Sequence, residues 1–305
     1  MATKSSYLTL INKILKRVNQ SVITSIPTTG HAAIIGEFLN EGQNELYTKA
    51  NWYSLYTPRF WKTYKYTAST IAFNDANPDT ITDSANGLGS FTAGETIRVD
   101  GSTDNDGVYV IGTAAAGTLT LTSDEQLTAE IAGDSVTITK VTYALASGFG
   151  KMILLKDVTN NKVLTEDIMR AFETDDPDQD TLSNPTHFGV QGNYIRPYPI
   201  PSGAYKMREW YLKTPTALSA TTDTSDLPIE CENPLIWFAW YNMLAYLQKY
   251  DEADRKERQY LKMVEDAKAH NAKVVDQWHR MMGADNAQDG IAPPRFPSAY
   301  GARYY

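Results

Sequence analysis

The sequence predicts an α+β fold: a helical bundle with a small antiparallel β-meander or barrel, interrupted by an inserted all-β domain. Three observations predict it. Apolar residues recur at helical spacing near both ends of the chain, while the middle alternates β-formers with turn residues. Between residues 68 and 142 the composition shifts to Thr, Gly, Asp and Ala, without a single Trp or Cys. With 305 residues, one substantial core and a smaller accessory domain are affordable in buried surface.

Taking the elements in order, Leu8, Ile11, Ile14, Leu15 and Val18 form an apolar stripe, with Lys13, Lys16 and Arg17 on the opposite side. A second helix runs through Ile35, Phe38, Leu39, Gly42 and Leu46, with Thr28 and Thr29 offered as caps after the Ile26-Pro27 linker. An aromatic segment follows, from Trp52 to Tyr66. Past residue 58, Arg59, Thr63 and Lys65 share one parity and Phe60, Tyr64 and Tyr66 the other, which predicts a strand with one wet face. Inside the insert, β-type runs at 95–99, 108–111, 119–122 and 136–141 are separated by Asn86-Gly87, Asp100-Gly101, Asp106-Gly107 and Ala116-Gly117 turns. Such spacing favours a small sandwich or barrel, looped out of a hairpin tip.

Beyond the insert, Lys151 to Leu155 predicts a strand, and Thr165-Glu166-Asp167 a cap for a short helix through Phe172. Strands at 188–190, 194–196 and 205–212, joined by short Gly and Pro turns, predict a meander. Asn233-Pro234 supplies a cap and a first-turn proline for a helix to Leu247 that is apolar on nearly every face, so it belongs at the bundle centre or an interface. The helix from Asp251 to about His279 pairs Asp251 with Arg255, Glu252 with Lys256 and Asp254 with Arg258, over a thin stripe of Leu261, Val264, Val275 and Trp278. Residues 284–305 show no periodicity and predict an extended tail. The domain scheme is therefore a core of 1–67 and 143–283, an insert of 68–142 and a tail of 284–305.

The formal charge of -8 is concentrated in the insert, where between Ala68 and Thr139 eleven carboxylates face one cation, Arg98. Tight binding to phosphate needs clustered Lys and Arg, and no such cluster occurs, so contact with DNA is expected to be loose or repulsive. No apolar run approaches the roughly 18 residues that span a bilayer, and the N-terminus lacks a secretory pattern, so neither membrane insertion nor export is expected. The single cysteine, Cys231, allows no internal disulfide.

No catalytic or metal-binding signature is complete in the sequence. His31, His187, His270 and His279 are dispersed, and the helical pair is nine residues apart, which does not bring two imidazoles one turn apart for zinc. Cys231 precedes a helix but has no His nearby in sequence and reads as a packing residue. Asp104-Asn105-Asp106-Gly107, preceded by Asp100, has part of a calcium-loop pattern, yet Ile111 stands where the closing Glu is needed, so a plain turn is expected. The acidic run from Asp175 to Asp180 is expected to be solvated. The aromatics from Trp52 to Tyr66, interleaved with Arg59, Lys62 and Lys65, could stack bases, but packing is the stronger reading because Trp237 and Trp240 recur without basic neighbours in sequence. No phosphate loop, dinucleotide fingerprint or nucleophile elbow is present. No enzyme activity and no cofactor are expected.

Several segments together resemble the head-to-tail adaptor (tail tubular or head completion) proteins of short-tailed phages. They are the helices Leu8 to Val18 and Ile34 to Tyr47 with Trp52-Tyr53, the Pro185 to Pro199 segment, the strand Tyr205 to Leu212 and the helix Pro234 to Leu247. The insert, through Phe91 to Val99, Asn105 to Ile111 and Thr118 to Leu121, looks like the immunoglobulin-like domains of phage virion proteins. The resemblance implies a structural virion protein: a cyclic, twelve-fold ring at the head-tail interface, assembled in the host cytoplasm. Its partners would be the portal protein, the tail nozzle protein and other copies of itself, with genomic DNA passing through the lumen during ejection. On that footing Arg295, Phe296, Tyr300, Arg303, Tyr304 and Tyr305 of the tail are the candidate portal-binding residues, and Trp237, Trp240 and Tyr241 the candidate subunit interface. The alternative is a host-receptor or carbohydrate-binding virion module that uses the inserted β domain.

Overall fold

The computed structural model describes residues 3–286, with side chains to residue 277. In chain order the elements are α1 (Tyr7–Arg17), α2 (His31–Lys49), β1 (Tyr56–Lys62), β2 (Lys65–Ala68), β3 (Ile71–Asn74), β4 (Thr80–Asp83), β5 (Thr96–Asp100), β6 (Gly107–Ala115), β7 (Thr118–Leu121) and β8 (Val136–Lys140). They continue with β9 (Tyr143–Ala144), β10 (Phe149–Asp157), β11 (Lys162–Glu166), α3 (Met169–Asp175), β12 (Leu182–Ser183), β13 (His187–Gln191), β14 (Tyr194–Tyr198), β15 (Ile200–Pro201), β16 (Lys206–Lys213), α4 (Glu232–Tyr246) and α5 (Tyr250–Asn286). The fold is α+β, as its patterning predicts. It divides into a helical unit (1–57, 148–151 and 211–305) and a β unit (58–147 and 152–210).

In the helical unit α4 packs against α1, α2 and α5, the central place its all-round apolarity predicts. Leu235, Ile236, Ala239, Met243 and Leu244 are all buried inside the unit. The uncovered apolar surplus is thus smaller than the sequence implies, and on α4 it narrows to half-covered aromatics and the exposed Tyr246. Close approach of α2 depends on Gly42, where a Cβ would stand 2.8 Å from Phe238 and 2.9 Å from Leu235. On α5 the buried stripe is Ala253, Tyr260, Val264, Ala267 and Asn271, whereas Leu261 is exposed. Small side chains on α5 suit the bulky aromatics of α4, which is why the predicted stripe is displaced. None of the three predicted α5 ion pairs forms: Arg255 Nε donates to the backbone carbonyl of Asp251, and Lys256 turns to tryptophan rings.

The caps differ from those predicted. Gly30, at φ +83°, takes the position before α2 in place of Thr28 or Thr29, because a β-branched residue resists that conformation. Cys231, not Asn233, precedes α4, which follows a 3-10 turn at Ile229–Cys231 and starts at Glu232, two residues before Pro234. Ile168 precedes α3, and Asp167 accepts only from the Ile168 N–H. By contrast Ser6 caps α1, accepting from the Thr9 N–H. The Glu232 carboxylate then fastens the chain start, accepting from Ser5 N (2.8 Å), Ser5 Oγ (2.6 Å) and Lys13 Nζ (2.7 Å).

In the β unit one seven-stranded sheet runs β2-β8-β5-β6-β7-β4-β3, antiparallel throughout. Its inward residues, among them Ile71, Phe73, Ile81, Ile97, Val99, Ile111, Leu119, Leu121, Val136 and Ile138, form one core cluster. A single sheet that feeds one cluster from every strand, β2 through the partly buried Tyr66 and Ala68, must curve round it, helped by a bulge between Ile111 and Thr113. A second sheet runs β1-β16-β10-β11-β13-β14-β9, with β11 and β13 parallel, and β12 pairs β15 separately. The predicted meander is therefore only a hairpin: β13 and β14 pair, but β16 lies between β1 and β10. The hairpin holds α3, because Gly189 leaves room where a Cβ would meet Met169 Sδ at 2.6 Å.

The wet face of β1 is also the reverse of the predicted one. Pro58, Phe60 and Lys62 are exposed, while Arg59 and Trp61 turn inward to Glu209. A buried carboxylate on β16 that needs donors outweighs the intrinsic apolarity of Phe60, whose ring is shielded by the Lys206 ammonium, 5.1 Å away.

Candidate interaction site

The residues singled out on α4 lie in two groups, both within the helical unit. Trp237 and Trp240 are neighbours one turn apart, with ring centroids 4.9 Å apart and planes at 49°. Two cations from other helices sit on them. The Arg17 guanidinium of α1 lies 4.8 Å from the Trp240 ring and 5.6 Å from Trp237, and the Lys256 ammonium of α5 lies 4.5 and 5.4 Å from the same rings. The expectation that these indoles lack basic partners is overturned. The partners come from positions remote in sequence, which a local reading does not reach.

Each cation is attracted by the negative face of an indole, so the pair of rings serves as a diffuse counter-charge. Burial lowers the pKa of Arg17. Trp240 Nε1 is buried with no hydrogen-bond partner. Tyr241 is directed elsewhere, to Phe238 (5.3 Å, edge-on) and Tyr260 (5.7 Å), and burial raises its phenol pKa. The structure thus brings Trp237 and Trp240 together and assigns Tyr241 to a separate aromatic cluster. The tail residues Arg295, Phe296, Tyr300, Arg303, Tyr304 and Tyr305 lie outside the described residues.

The residues tested for chemistry have structural occupations. Cys231 is buried, and burial pushes its thiol well above the ordinary range, so little thiolate is available. His31 meets the Tyr246 ring edge-on, His187 Nδ1 lies 2.7 Å from Thr186 Oγ1, and His270 Nδ1 is 3.3 Å from Glu230. The side chain of His279 is outside the described set. Among the described residues no three His, Cys, Asp or Glu side chains are grouped to hold a metal ion. In the calcium-like segment, Asp106 accepts from Ser102 N and Oγ, and Asn105 Nδ2 donates to Thr128 O and Glu130 Oε2. That is the plain turn expected.

The acidic run 175–180 is more than solvated surface. Asp176 is buried and accepts from the N–H groups of Asp180 and Thr181, and Arg98 donates to Gln179 O at 2.8 Å. Of the early aromatics, Trp52 is buried and donates to Leu46 O, while Trp61 Nε1 donates to Glu209 Oε2 at 2.9 Å. Packing accounts for both. Among the buried charge sites of the β unit that sequence reasoning missed are the Lys140–Glu95 ion pair at 2.6 Å, and Arg196, which forms no ion pair. A usable signal existed for each, since Lys140 and Arg196 are lone cations within β-type runs.

Comparison with protein families places this architecture. No curated protein matches the chain. The model of the family described as SU10 adaptor protein matches residues 114–288, more than half of the chain, from β6 through α4 and α5. The chain belongs to the SU10 adaptor protein family and is accordingly a structural adaptor of a phage particle.

Proposed function

We propose that this adaptor forms a ring at the head-tail interface of a short-tailed virion, joining the portal to the tail nozzle around a channel through which DNA leaves. The observation that carries the reading is the family match across α4, which displays the Trp237–Trp240 pair, and α5, which sets Lys256 on it. A half-covered indole pair is suited to completion by a neighbouring copy, and cyclic head-to-tail contacts would cover it in every subunit of a twelve-fold ring. In that assembly Trp237 and Trp240 line the subunit interface, with Tyr241 supporting them from the aromatic cluster behind.

The same reading takes residues 1–67 and 143–283 as the adaptor core and 68–142 as an inserted immunoglobulin-like domain, supported by the curved sheet and its own core cluster. Residues 284–305 are taken as the segment that grips the portal through Arg295, Phe296, Tyr300, Arg303, Tyr304 and Tyr305. An acidic insert beside passing DNA would repel phosphate and keep the channel non-adhesive. Mass measurement of the purified chain, alone and mixed with portal rings, tests the reading. A monomer that becomes cyclic only in the mixture is expected, and a chain that stays solitary beside every capsid component overturns it. Deleting residues 284–305 should abolish co-sedimentation with portal rings, and unchanged binding would remove the tail from the interface.

A further inference from the structure

Two surfaces of the β unit are uncovered in the single chain and complement each other. The first is one face of the strands β1, β16, β10 and β11, which lie side by side. Side chains alternate along them, and Met207, Glu209, Leu155, Asp157 and Leu164 are buried on one side. The other side carries three exposed apolar residues, Phe60 at 56%, Val158 and Val163. Lys206 Nζ lies 5.1 Å from the Phe60 ring, the Val158 N–H donates to Lys206 O at 2.7 Å, and Val163 stands opposite Lys156 in the β10–β11 pair. By the same alternation Lys62 and Arg208 join Lys156 and Lys206 on this side. None of the four cations forms an ion pair among the described residues. The carboxylates of Asp157 and Glu209 are buried on the opposite side, and Glu166 differs in parity from Val163. The strands thus present apolar side chains flanked by positive charge alone, from cations dispersed in the sequence.

The second surface has the inverse charge. Ile131, in the loop before β8, is 90% exposed, the highest value among the large apolar side chains described. Its neighbour Glu130 is held firmly: the backbone exchanges hydrogen bonds with Phe73 at 2.9 Å, and the carboxylate accepts from Thr103 N (3.0 Å) and Asn105 Nδ2 (2.8 Å). Thr103 Oγ1 in turn donates to Asp134 at 3.1 Å, which ties the β5–β6 turn to this loop. The joined loops expose Asp104, Asp106 and Asp134 and contain no cation. A lone exposed isoleucine is ordinary on a protein surface. Mounted on fastened loops whose exposed charges are all negative, it matches an apolar face flanked by cations. We propose that Ile131 of one copy packs onto the Phe60–Val158–Val163 face of the next, with Asp104, Asp106 and Asp134 meeting Lys62, Lys156 and Lys206 around it. The two surfaces differ, so the contact is head-to-tail, the kind that closes a ring. The proposal rests on the ring reading and adds to it the loop and the face that meet. Phosphate would use the cations but leave the three apolar side chains bare, so a carboxylate-bearing loop fits better than DNA.

The test is carbodiimide coupling of an equal mixture of isotope-labelled and unlabelled full-length chain, concentrated at low salt, alone and with portal rings, with the linked peptides read by mass spectrometry. Label-mixed links joining Lys62, Lys156 or Lys206 to Asp104, Asp106 or Asp134 are expected in at least one sample. Their absence from both overturns the proposal whether or not rings form, while the mass of the assembly decides the portal reading separately. Ile131→Asp changes an exposed loop position, so it should keep the melting temperature and lower the yield of these links by about tenfold. An undiminished yield in that variant would remove the apolar contact and with it the proposal. Links from the three lysines to the portal, in place of links between copies, would assign the face to that partner and overturn the proposal. Retention of duplex DNA that Lys62→Glu and Lys206→Glu together abolish would assign the face to phosphate, with the same result.

Discussion

The helical unit and the β unit treat charge in opposite ways. Every buried ionisable side chain among the described residues that is acidic or basic, namely Asp79, Asp83, Glu95, Lys140, Asp157, Asp176, Arg196 and Glu209, belongs to the β unit. Their polar counterparts in the helical unit are only neutral amides, Gln43 and Asn271, and that unit keeps Arg17 exposed and Lys256 half-buried over indoles. The reason is backbone accounting. A helix satisfies its own N–H groups after the first turn, whereas the loops between short strands leave theirs unpaired. Carboxylates meet that need: Asp83 accepts from the N–H groups of Ala85 and Gly87, Asp79 from Ala76 and Leu127, Glu95 from Thr92 and Asp157 from Thr159 and Asn160. Part of the acidity of residues 68–139 is therefore loop-fastening chemistry.

The severest way to break this contrast is to strand one of the buried charges. Lys140 Nζ contacts both Glu95 oxygens, at 2.6 and 2.8 Å, in a site where both side chains are less than a tenth exposed. Lys140→Met should lower unfolding stability by about 3 to 5 kcal/mol, since Glu95 is left buried and unpaired. Urea unfolding measures it, and the double variant Lys140→Met with Glu95→Gln should recover most of the loss, a coupling that independent sites would not show.

A smaller loss, about 2 kcal/mol, is expected from Asp83→Asn, because the carboxylate accepts from Thr70 and Tyr66 hydroxyls as well as two loop N–H groups, and an amide cannot accept from all four. Burial alone would raise the Asp83 pKa, but these four hydrogen bonds hold it below the ordinary 3.8. The native state thus binds this proton more weakly than the unfolded chain does. Its contribution is full above about pH 3.8 and disappears as the pH falls through the lowered value. The Asn variant should lose that acid-side slope, and a variant with the slope intact would assign it to another carboxylate.

Glu209 sharpens the contrast from within the β unit, since it fastens no loop. It is fully buried, with Trp61 donating at 2.9 Å and Arg59 3.4 Å away, and burial outweighs both and raises its pKa above 4.5. Here the sign is reversed: the stabilising contribution is complete below the unfolded value and is lost as the pH rises through the folded one. Glu209→Gln should therefore change stability by no more than about 1 kcal/mol at neutral pH, and in the stabilising direction, because it removes a poorly compensated buried charge. A loss of several kcal/mol in neutral urea unfolding would show that the Arg59 pairing outweighs desolvation.

These charge sites also mark where sequence reading stopped. The helices, the α+β class and the four strands at 96–100, 107–115, 118–121 and 136–140 follow from apolar periodicity and turn residues, which act locally. The strands at 71–74 and 80–83 escape because each is only four residues long with one or two large apolar side chains, and only the core cluster reveals why Ile71, Phe73 and Ile81 face inward. Trp237 and Trp240 were legible as an exceptional pair, whereas Arg17 and Lys256 were not legible as their partners. Cation and ring share no local pattern, and tertiary packing alone decides the match. Likewise Leu261 outranks Tyr260 in apolarity, yet packing against the α4 aromatics Phe238 and Tyr241 selects Tyr260.

The smallest effect separates the two cations over the indoles. Lys256 is half-buried at the unit's surface, and its attraction to Trp237 and Trp240 competes with water, so Lys256→Met should cost only about 0.5 kcal/mol in urea unfolding. Its methylene stem already covers the rings, and methionine retains that packing. Arg17→Met should cost more, because methionine keeps the packing of an aliphatic stem but loses the planar guanidinium that lies over both rings of this exposed residue. The blue-shifted portion of tryptophan emission should respond in the same order, Arg17 before Lys256. Equal responses would mean that the two cations are interchangeable surface charges, and the helical unit would then have no counterpart to the buried charge chemistry of the β unit.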